Sequence, residues 1–228
     1  MLSKEKPLNT LPYHSSTMAL KAVLLAAGKS TRTYPLTITR PKPLLKVANK
    51  TILRHNLEQL KETGMFDEAV IVVGYKADMI KKEFGDSFEG INLTYAEQKE
   101  QKGSGHALMS AKDDAGDSEF VVMNADDLFF AEDIKKAASE KYAVLVHKVN
   151  DPENYGIYSV KNGYAERLVE NPKDFISDMA NTGCYKLDSR VFGFEIKKSE
   201  RGEIEIVDFI SELMKHDKVK CIEAKQWF

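Results

Sequence analysis

Hydrophobic positions in this chain fall in short continuous runs, separated by polar loops rich in glycine and proline. Residues 21–27 (KAVLLAA) form an almost unbroken apolar run. That pattern predicts a strand covered on both faces, and the run is too short for a buried helix. A proline-punctuated loop continues through Lys42. Thr51 is then placed to N-cap a helix whose Ile52, Leu53, Asn56, Leu57 and Leu60 share one face and which Gly64 ends. The unit repeats: 69–73 reads as strand and 76–84 as a short helix stopped by Gly85. A weaker strand at 93–95, a helix around 106–112 and a buried strand at 120–123 follow.

Strands alternating with helices at this interval predict right-handed β-α-β crossovers and a largely parallel sheet, with ligands at the C-terminal ends of the strands. After Lys141 the pattern changes. Residues 142–149, 156–160, 167–170 and 180–187 are strand-like with short turns between them, so this half is expected to be mixed or antiparallel. The last helix, 204–215, puts Ile206, Phe209, Ile210, Leu213 and Met214 on one face, with Glu205, Asp208 and Glu212 outside. The expected class is α/β with a mostly parallel mixed sheet.

Composition adds boundaries. The chain has 228 residues, 43% of them hydrophobic, enough for one sizeable core. One domain is expected over 18–228. Residues 1–17 precede Met18 and the first strand, and they read as a disordered leader or appended extension. The 33 basic and 35 acidic residues are spread evenly, which gives no reason to expect nucleic acid or an anionic membrane as partner. Cys184 and Cys221 share no metal-ligand spacing, so reduced thiols in a cytoplasmic protein are expected. No run approaches the ~18 apolar residues of a membrane span.

The candidate chemistry lies in loops. Ala26-Ala27-Gly28-Lys29-Ser30-Thr31-Arg32 follows a buried strand, and its small residues let backbone N–H groups approach a phosphate. Arg32, and Lys42 held between Pro41 and Pro43, are cations within reach of a polyphosphate. A plain β-α turn with solvated charges is the competing interpretation. Asp126 and Asp127 follow the buried 120–123 run and offer hard oxygen ligands suited to magnesium, or else cap a helix beginning near Glu132. Gln98 and Gln101, with Gly103-Ser104-Gly105-His106, form a second loop able to read a base edge. An ordinary glycine-rich turn capped by Ser104 is its alternative, and His106 is expected to pack or cap.

Taken together, LAAGKSTRTYPLTITRPKPLL resembles the signature L-A-A-G-x-G-T-R-x-x-P-x-T-x-x-x-P-K-x-L of the sugar-1-phosphate nucleotidyltransferases. The resemblance runs from about Lys21 to Phe228, and QKEQKGSGHAL looks most like the pyrimidine-reading loop of the N-acetylglucosamine-1-phosphate uridylyltransferases. It implies a Rossmann-like three-layer α/β/α domain that makes a nucleotide sugar and pyrophosphate from UTP or dTTP and a sugar 1-phosphate, either glucose-1-phosphate or N-acetylglucosamine-1-phosphate, with Mg2+ as cofactor. By this resemblance Leu25, Ala26, Ala27 and Gly28 contact nucleoside and phosphates, and Gln98, Gly103 and Ser104 read the base. Arg32 and Lys42 neutralise phosphate charge, and Asp126 holds the metal. Tyr155, Gly156, Glu170, Asn181, Thr182 and Glu203 surround the sugar phosphate. A homo-oligomer is left open.

The chain also departs from the family pattern. Ser30 replaces the second signature glycine, Ala125 stands where the usual Gly-Asp has glycine, and Asn171 occupies the lysine position of Glu-Lys-Pro, which leaves open whether Lys173 substitutes for it. The family's Trp-x-Asp segment, a source of a second metal ligand, stops here at Trp227-Phe228, so a C-terminal truncation is expected. Two rival expectations are a non-catalytic sugar-nucleotide-binding regulatory subunit of the same fold and a cytidylyltransferase.

Overall fold

The computed structural model describes residues 20–199 and 202–228, so the expected leader at 1–17 lies outside the described residues. In chain order the elements are β1 (Leu20–Leu25), β2 (Lys46–Val47), β3 (Lys50–Thr51), α1 (Ile52–Thr63), β4 (Phe66–Val73), α2 (Ala77–Phe84), β5 (Ser87–Phe88) and β6 (Ile91–Glu97). Then come α3 (Ser104–Ser110), α4 (Lys112–Ala115), β7 (Glu119–Asn124), α5 (Ala131–Ala138), β8 (Ala143–Lys148), β9 (Gly156–Lys161), β10 (Tyr164–Glu170), β11 (Met179–Asp188), α6 (Ile206–His216) and β12 (Lys220–Glu223). Ten strands form one sheet in the order β5-β6-β4-β1-β7-β11-β8-β12-β10-β9, and β2 and β3 make a separate hairpin.

The period-2 alternation of the buried strands explains the layering. Ala22 and Leu24 of β1 and Ile71 of β4 face one core with Leu53, Leu57 and Leu60 of α1, Ile80 of α2 and Ile134 of α5. Val23, Val70 and Val72 face the other, with Leu108 of α3 and Phe209, Ile210 and Leu213 of α6. Helices therefore cover both faces, giving the expected three layers. The β6-β4-β1-β7 block is parallel throughout. Beyond it β11 runs antiparallel to both β7 and β8, β10 runs antiparallel to both β9 and β12, and only β8 and β12 pair in parallel. That is the mixed half implied by its short turns.

Some local expectations differ. Gly64 ends α1 in the left-handed conformation, as the sequence implies, but Thr51 does not cap with its side chain. Its hydroxyl donates instead to Glu83 Oε1 at 3.2 Å, tying α1 to α2. The Asp126-Asp127 pair does not cap α5, whose N-cap residue is Phe130. Ser104 caps α6 rather than its own helix, since its Oγ accepts from Ile206 N at 2.9 Å. Among the described residues, no helix is long and apolar enough to cross a membrane.

The order β6-β4-β1-β7 puts a topological switch at β1. Its crossover to β4 uses α1 on one face, and the later return to β7 follows α3 on the other. The loops leaving β1 and β7 therefore splay apart above their C-terminal ends, and a crevice opens between them.

Candidate active site

A cleft of about 820 Å3 occupies that crevice. Its floor is the end of the sheet, where Leu25 pairs with both Val72 and Asn124. Ala26 N donates to Val72 O at 2.8 Å, and Ala125 N donates to Leu25 O at 3.1 Å, so the two departing loops start from fixed positions. Gly74 keeps the neighbouring turn close: a Cβ there would meet Ala27 O at 2.9 Å. Leu25, Ala26, Ala27, Gly28 and Arg32 line the cleft, joined by Lys29 and Ser30.

The signature glycine replaced by Ser30 still sits in glycine-like backbone space, with φ 49° and ψ 52°. A β-carbon there costs about 1–2 kcal/mol, so the loop needs support. Three donors converge on the Ser30 carbonyl: Thr33 N at 3.1 Å, Thr33 Oγ1 at 2.7 Å and the fully buried Thr37 Oγ1 at 3.0 Å. Tyr75 OH anchors the following stretch by donating to Thr37 O at 3.1 Å.

Lys42 begins a 3-10 turn between Pro41, in extended conformation, and the buried Pro43 and Leu44. That turn aims its ammonium at Asp126 Oδ2, 2.9 Å away. Lys42 thus enters the site through Asp126, while Pro43 supplies the lining surface. Asp127, given no role of its own by the resemblance, also lines the cleft. Its main-chain carbonyl accepts from the buried Asn56 Nδ2 at 2.8 Å, which locks the pair of aspartates to α1. Burial, then the neighbouring Asp126 charge, push the Asp127 carboxyl up to about 7, against the lowering effects of Lys42 and Asn124.

Two adjacent carboxylates that repel one another are a donor set that a divalent cation relieves. Among the described residues no three or more His, Cys, Asp or Glu side chains gather into a metal cage. Magnesium fits this arrangement, because it takes one or two protein carboxylates and completes its octahedron with water and substrate phosphate.

On the opposite side, Gln98, Gln101, Gly103 and Ser104 line the cleft. Gly103 has φ 100°, and a Cβ on it would come within 2.3 Å of Ile204 O, so only glycine fits. The loop is laced to the segment before α6: Gly105 N donates to Ile204 O and Ile204 N to Lys102 O, each at 2.8 Å. Ser104 Oγ donates to Glu205 Oε2 at 2.9 Å. Glu203 and Glu205 are thereby carried to the same rim.

The antiparallel half completes the far wall. Tyr155, Gly156, Glu170, Asn181 and Thr182 all line it, with Asn124, Asn154, Asn171, Gly183 and Tyr185 beside them. Gly156 pairs with Glu170 across β9 and β10, and a Cβ there would lie 2.5 Å from Glu170 Oε1. Asn181 Nδ2 donates to Tyr185 OH at 2.8 Å, and Thr182 donates its hydroxyl to Leu145 O at 2.9 Å, leaving Thr182 Oγ1 only acceptor capacity toward the cleft. Asn171 lines the cleft and Lys173 does not. Trp227 closes the wall with its ring 5.6 Å from that of Tyr155, and its buried Nε1 has no protein partner. Asn124 and Tyr185 escape sequence reading because they read as strand residues; only their position at strand ends near the switch point marks them.

The nucleotidyl transferase family model matches residues 21–228. The chain belongs to this family. It is 38% identical over 213 residues to the bifunctional protein GlmU of Methanocaldococcus jannaschii, covering 92% of this chain and 50% of that protein. It is 36% identical over 220 residues to the UTP–glucose-1-phosphate uridylyltransferase AglF of Haloferax volcanii, covering 91% of this chain and 89% of that one. A UDP-glucose pyrophosphorylase solved with UDP-glucose superposes with a TM-score of 0.83 at 25% identity, over 92% of this chain and 93% of the other. The chain spans about half the length of the GlmU relatives it matches. Around one cleft this nucleotidyl transferase gathers the loop after β1, the aspartate pair and the loop at 98–104.

Proposed function

We propose that this chain transfers a nucleotidyl group from UTP or dTTP to a sugar 1-phosphate, releasing pyrophosphate. The observation that carries the reading is the Lys42–Asp126 pair, set at the switch point between the loop after β1 and the far wall of β9, β10 and β11. Asp126 lines the cleft and Lys42 bears on it through that carboxylate, so in this reading the pair sets the charge between the phosphate-binding loop and the sugar-binding wall.

The reaction needs no strong base. The sugar phosphate is already ionised at neutral pH, and one of its oxygens forms the new bond to the α-phosphorus. The bond from that phosphorus to the leaving pyrophosphate breaks in line, and the departing charge stays on pyrophosphate. The difficulty is bringing two anions together, so catalysis is positioning plus charge compensation. Lys42 and Arg32 supply positive charge, and the backbone N–H groups around Gly28 supply fixed dipoles. Gln98, Gly103 and Ser104 hold the base, while Tyr155, Gly156, Glu170, Asn181, Thr182 and Glu203 orient the sugar phosphate. Asp126, with Asp127 beside it, would hold Mg2+, which when bound spreads the charge of the triphosphate. The AglF relative and the UDP-glucose pyrophosphorylase support glucose-1-phosphate as one acceptor; the GlmU relatives keep N-acetylglucosamine-1-phosphate in the panel.

Pyrophosphate release measured over UTP, dTTP, CTP and ATP, each with several sugar 1-phosphates, tests the reading. Release with UTP or dTTP that requires both a sugar 1-phosphate and a divalent cation is the expected result. Release with CTP alone would select the cytidylyltransferase, and nucleotide-sugar binding without release would select the regulatory subunit.

A further inference from the structure

Gln98 is 3% exposed, and both hydrogens of its amide have partners. Nε2 donates to Gly103 O at 2.9 Å and lies 3.1 Å from His106 Nδ1. A backbone carbonyl can only accept, so Gly103 O fixes which end of the amide is nitrogen. His106 Nδ1 must then accept as well, which places the imidazole proton on Nε2. With both hydrogens engaged, Oε1 is the polar atom that Gln98 has left for a ligand in the cleft it lines. It is an acceptor.

Building on the nucleotidyl transfer proposed above, we infer that His106 is a positioning residue which, through Nδ1, holds the Gln98 amide with its oxygen toward the base, so that preference for bases carrying an N3–H depends on His106. Uracil and thymine present a donor at N3 and match this acceptor. Cytosine presents an acceptor at N3 and would face Oε1 with two lone pairs opposed. A site built around one hydrogen bond rejects the analogue that cannot make it, because a buried polar atom is left unpaired. Without the imidazole, one buried amide hydrogen of Gln98 loses its partner and the opposite orientation becomes less costly. Gly103 O alone then resists the flip. His106 is itself fixed by the fold: it is the third residue of α3, and its N–H donates to Ile204 O at 3.3 Å.

The test is the ratio of kcat/KM for UTP over CTP in wild type, His106→Leu and His106→Asn. His106→Leu should lower that ratio by about tenfold, the worth of one hydrogen bond. His106→Asn keeps an oxygen where Nδ1 stood and should restore most of the ratio. A His106→Leu enzyme that loses turnover equally with both nucleotides, keeping the ratio, would overturn the inference. If that variant does not fold, the imidazole nitrogen chemical shifts of wild type decide: an unprotonated Nδ1 with the proton on Nε2 supports the inference, and a protonated Nδ1 contradicts it. A wild type that releases pyrophosphate with none of UTP, dTTP and CTP would refute the parent reading instead, and the tautomer measurement does not depend on turnover.

Discussion

The Lys42 ammonium lies 2.9 Å from Asp126 Oδ2, across 84 positions of sequence, and joins the loop after β1 to the end of β7. The two side chains are 27% and 34% exposed, so the pair contributes little to folding, about 0–1 kcal/mol. Its value lies in charge placement. Lys42→Ala and Asp126→Ala should each lower turnover by about a hundredfold or more while thermal denaturation moves by only a degree or two. Steady-state kinetics beside a melting curve checks this; a variant with near-normal turnover would lose its assigned role.

Ser30 and Thr37 give a prediction with two opposite signs. Ser30→Gly relieves a left-handed backbone cost of about 1–2 kcal/mol and adds about 0.4–1 kcal/mol of unfolded-chain entropy. The net is a stabilisation of about 0.8 kcal/mol, or about 2–3 °C in Tm. Thr37→Val removes a buried donor from the Ser30 carbonyl and should cost about 1 kcal/mol. Calorimetric melting of both variants measures the pair of shifts.

Asp133 is 1% exposed, and its Oδ2 accepts from Lys225 N at 2.9 Å, which pins the last segment of the chain to α5. That segment ends with Phe228 O accepting from Leu128 N at 2.8 Å and carries Trp227, the single tryptophan. Asp133→Ala should destabilise by about 2–3 kcal/mol, since it leaves Lys225 N without its partner and opens space. It should also shift tryptophan emission to the red as Trp227 leaves Tyr155. Asp133→Asn, which keeps an acceptor, should retain most of the native emission.

Burial raises both thiols, Cys221 to about 12 and Cys184 further, so little thiolate exists at neutral pH. A thiol-reactive disulfide reagent added to the native protein at pH 7.5 should label neither cysteine within minutes, and both after denaturation.

The strand–helix alternation and the helix layers follow from features written locally: β1 and β7 are built on short apolar runs, and Gly64 and Gly85 stop their helices. Long-range choices are less legible. Thr51 is a good N-cap by type, yet the approach of Glu83 draws its hydroxyl to α2. Ser104 caps a helix 102 positions away, because Gly103 lets the Ile204 backbone, and Gly105 the Glu205 backbone, come close. The edge strand β5 and the short β12 between β8 and β10 are too short or too exposed to carry a periodic signal. In the site, the loop after β1 reads as a candidate anion site because small residues and cations adjoin there, and the structure places it along the cleft. Asp127 and Trp227 acquire their surroundings only when β7, α1 and the last segment meet.

Transfer of label from UTP carrying 32P at the α-phosphorus is the most direct measurement. With glucose-1-phosphate or N-acetylglucosamine-1-phosphate and Mg2+ present, the label should move into a nucleotide sugar and none should remain bound to the protein. Label left in the nucleotide for every sugar 1-phosphate tried, with α-labelled dTTP as well as UTP, or held covalently on the protein, would contradict direct in-line transfer over the Lys42–Asp126 pair.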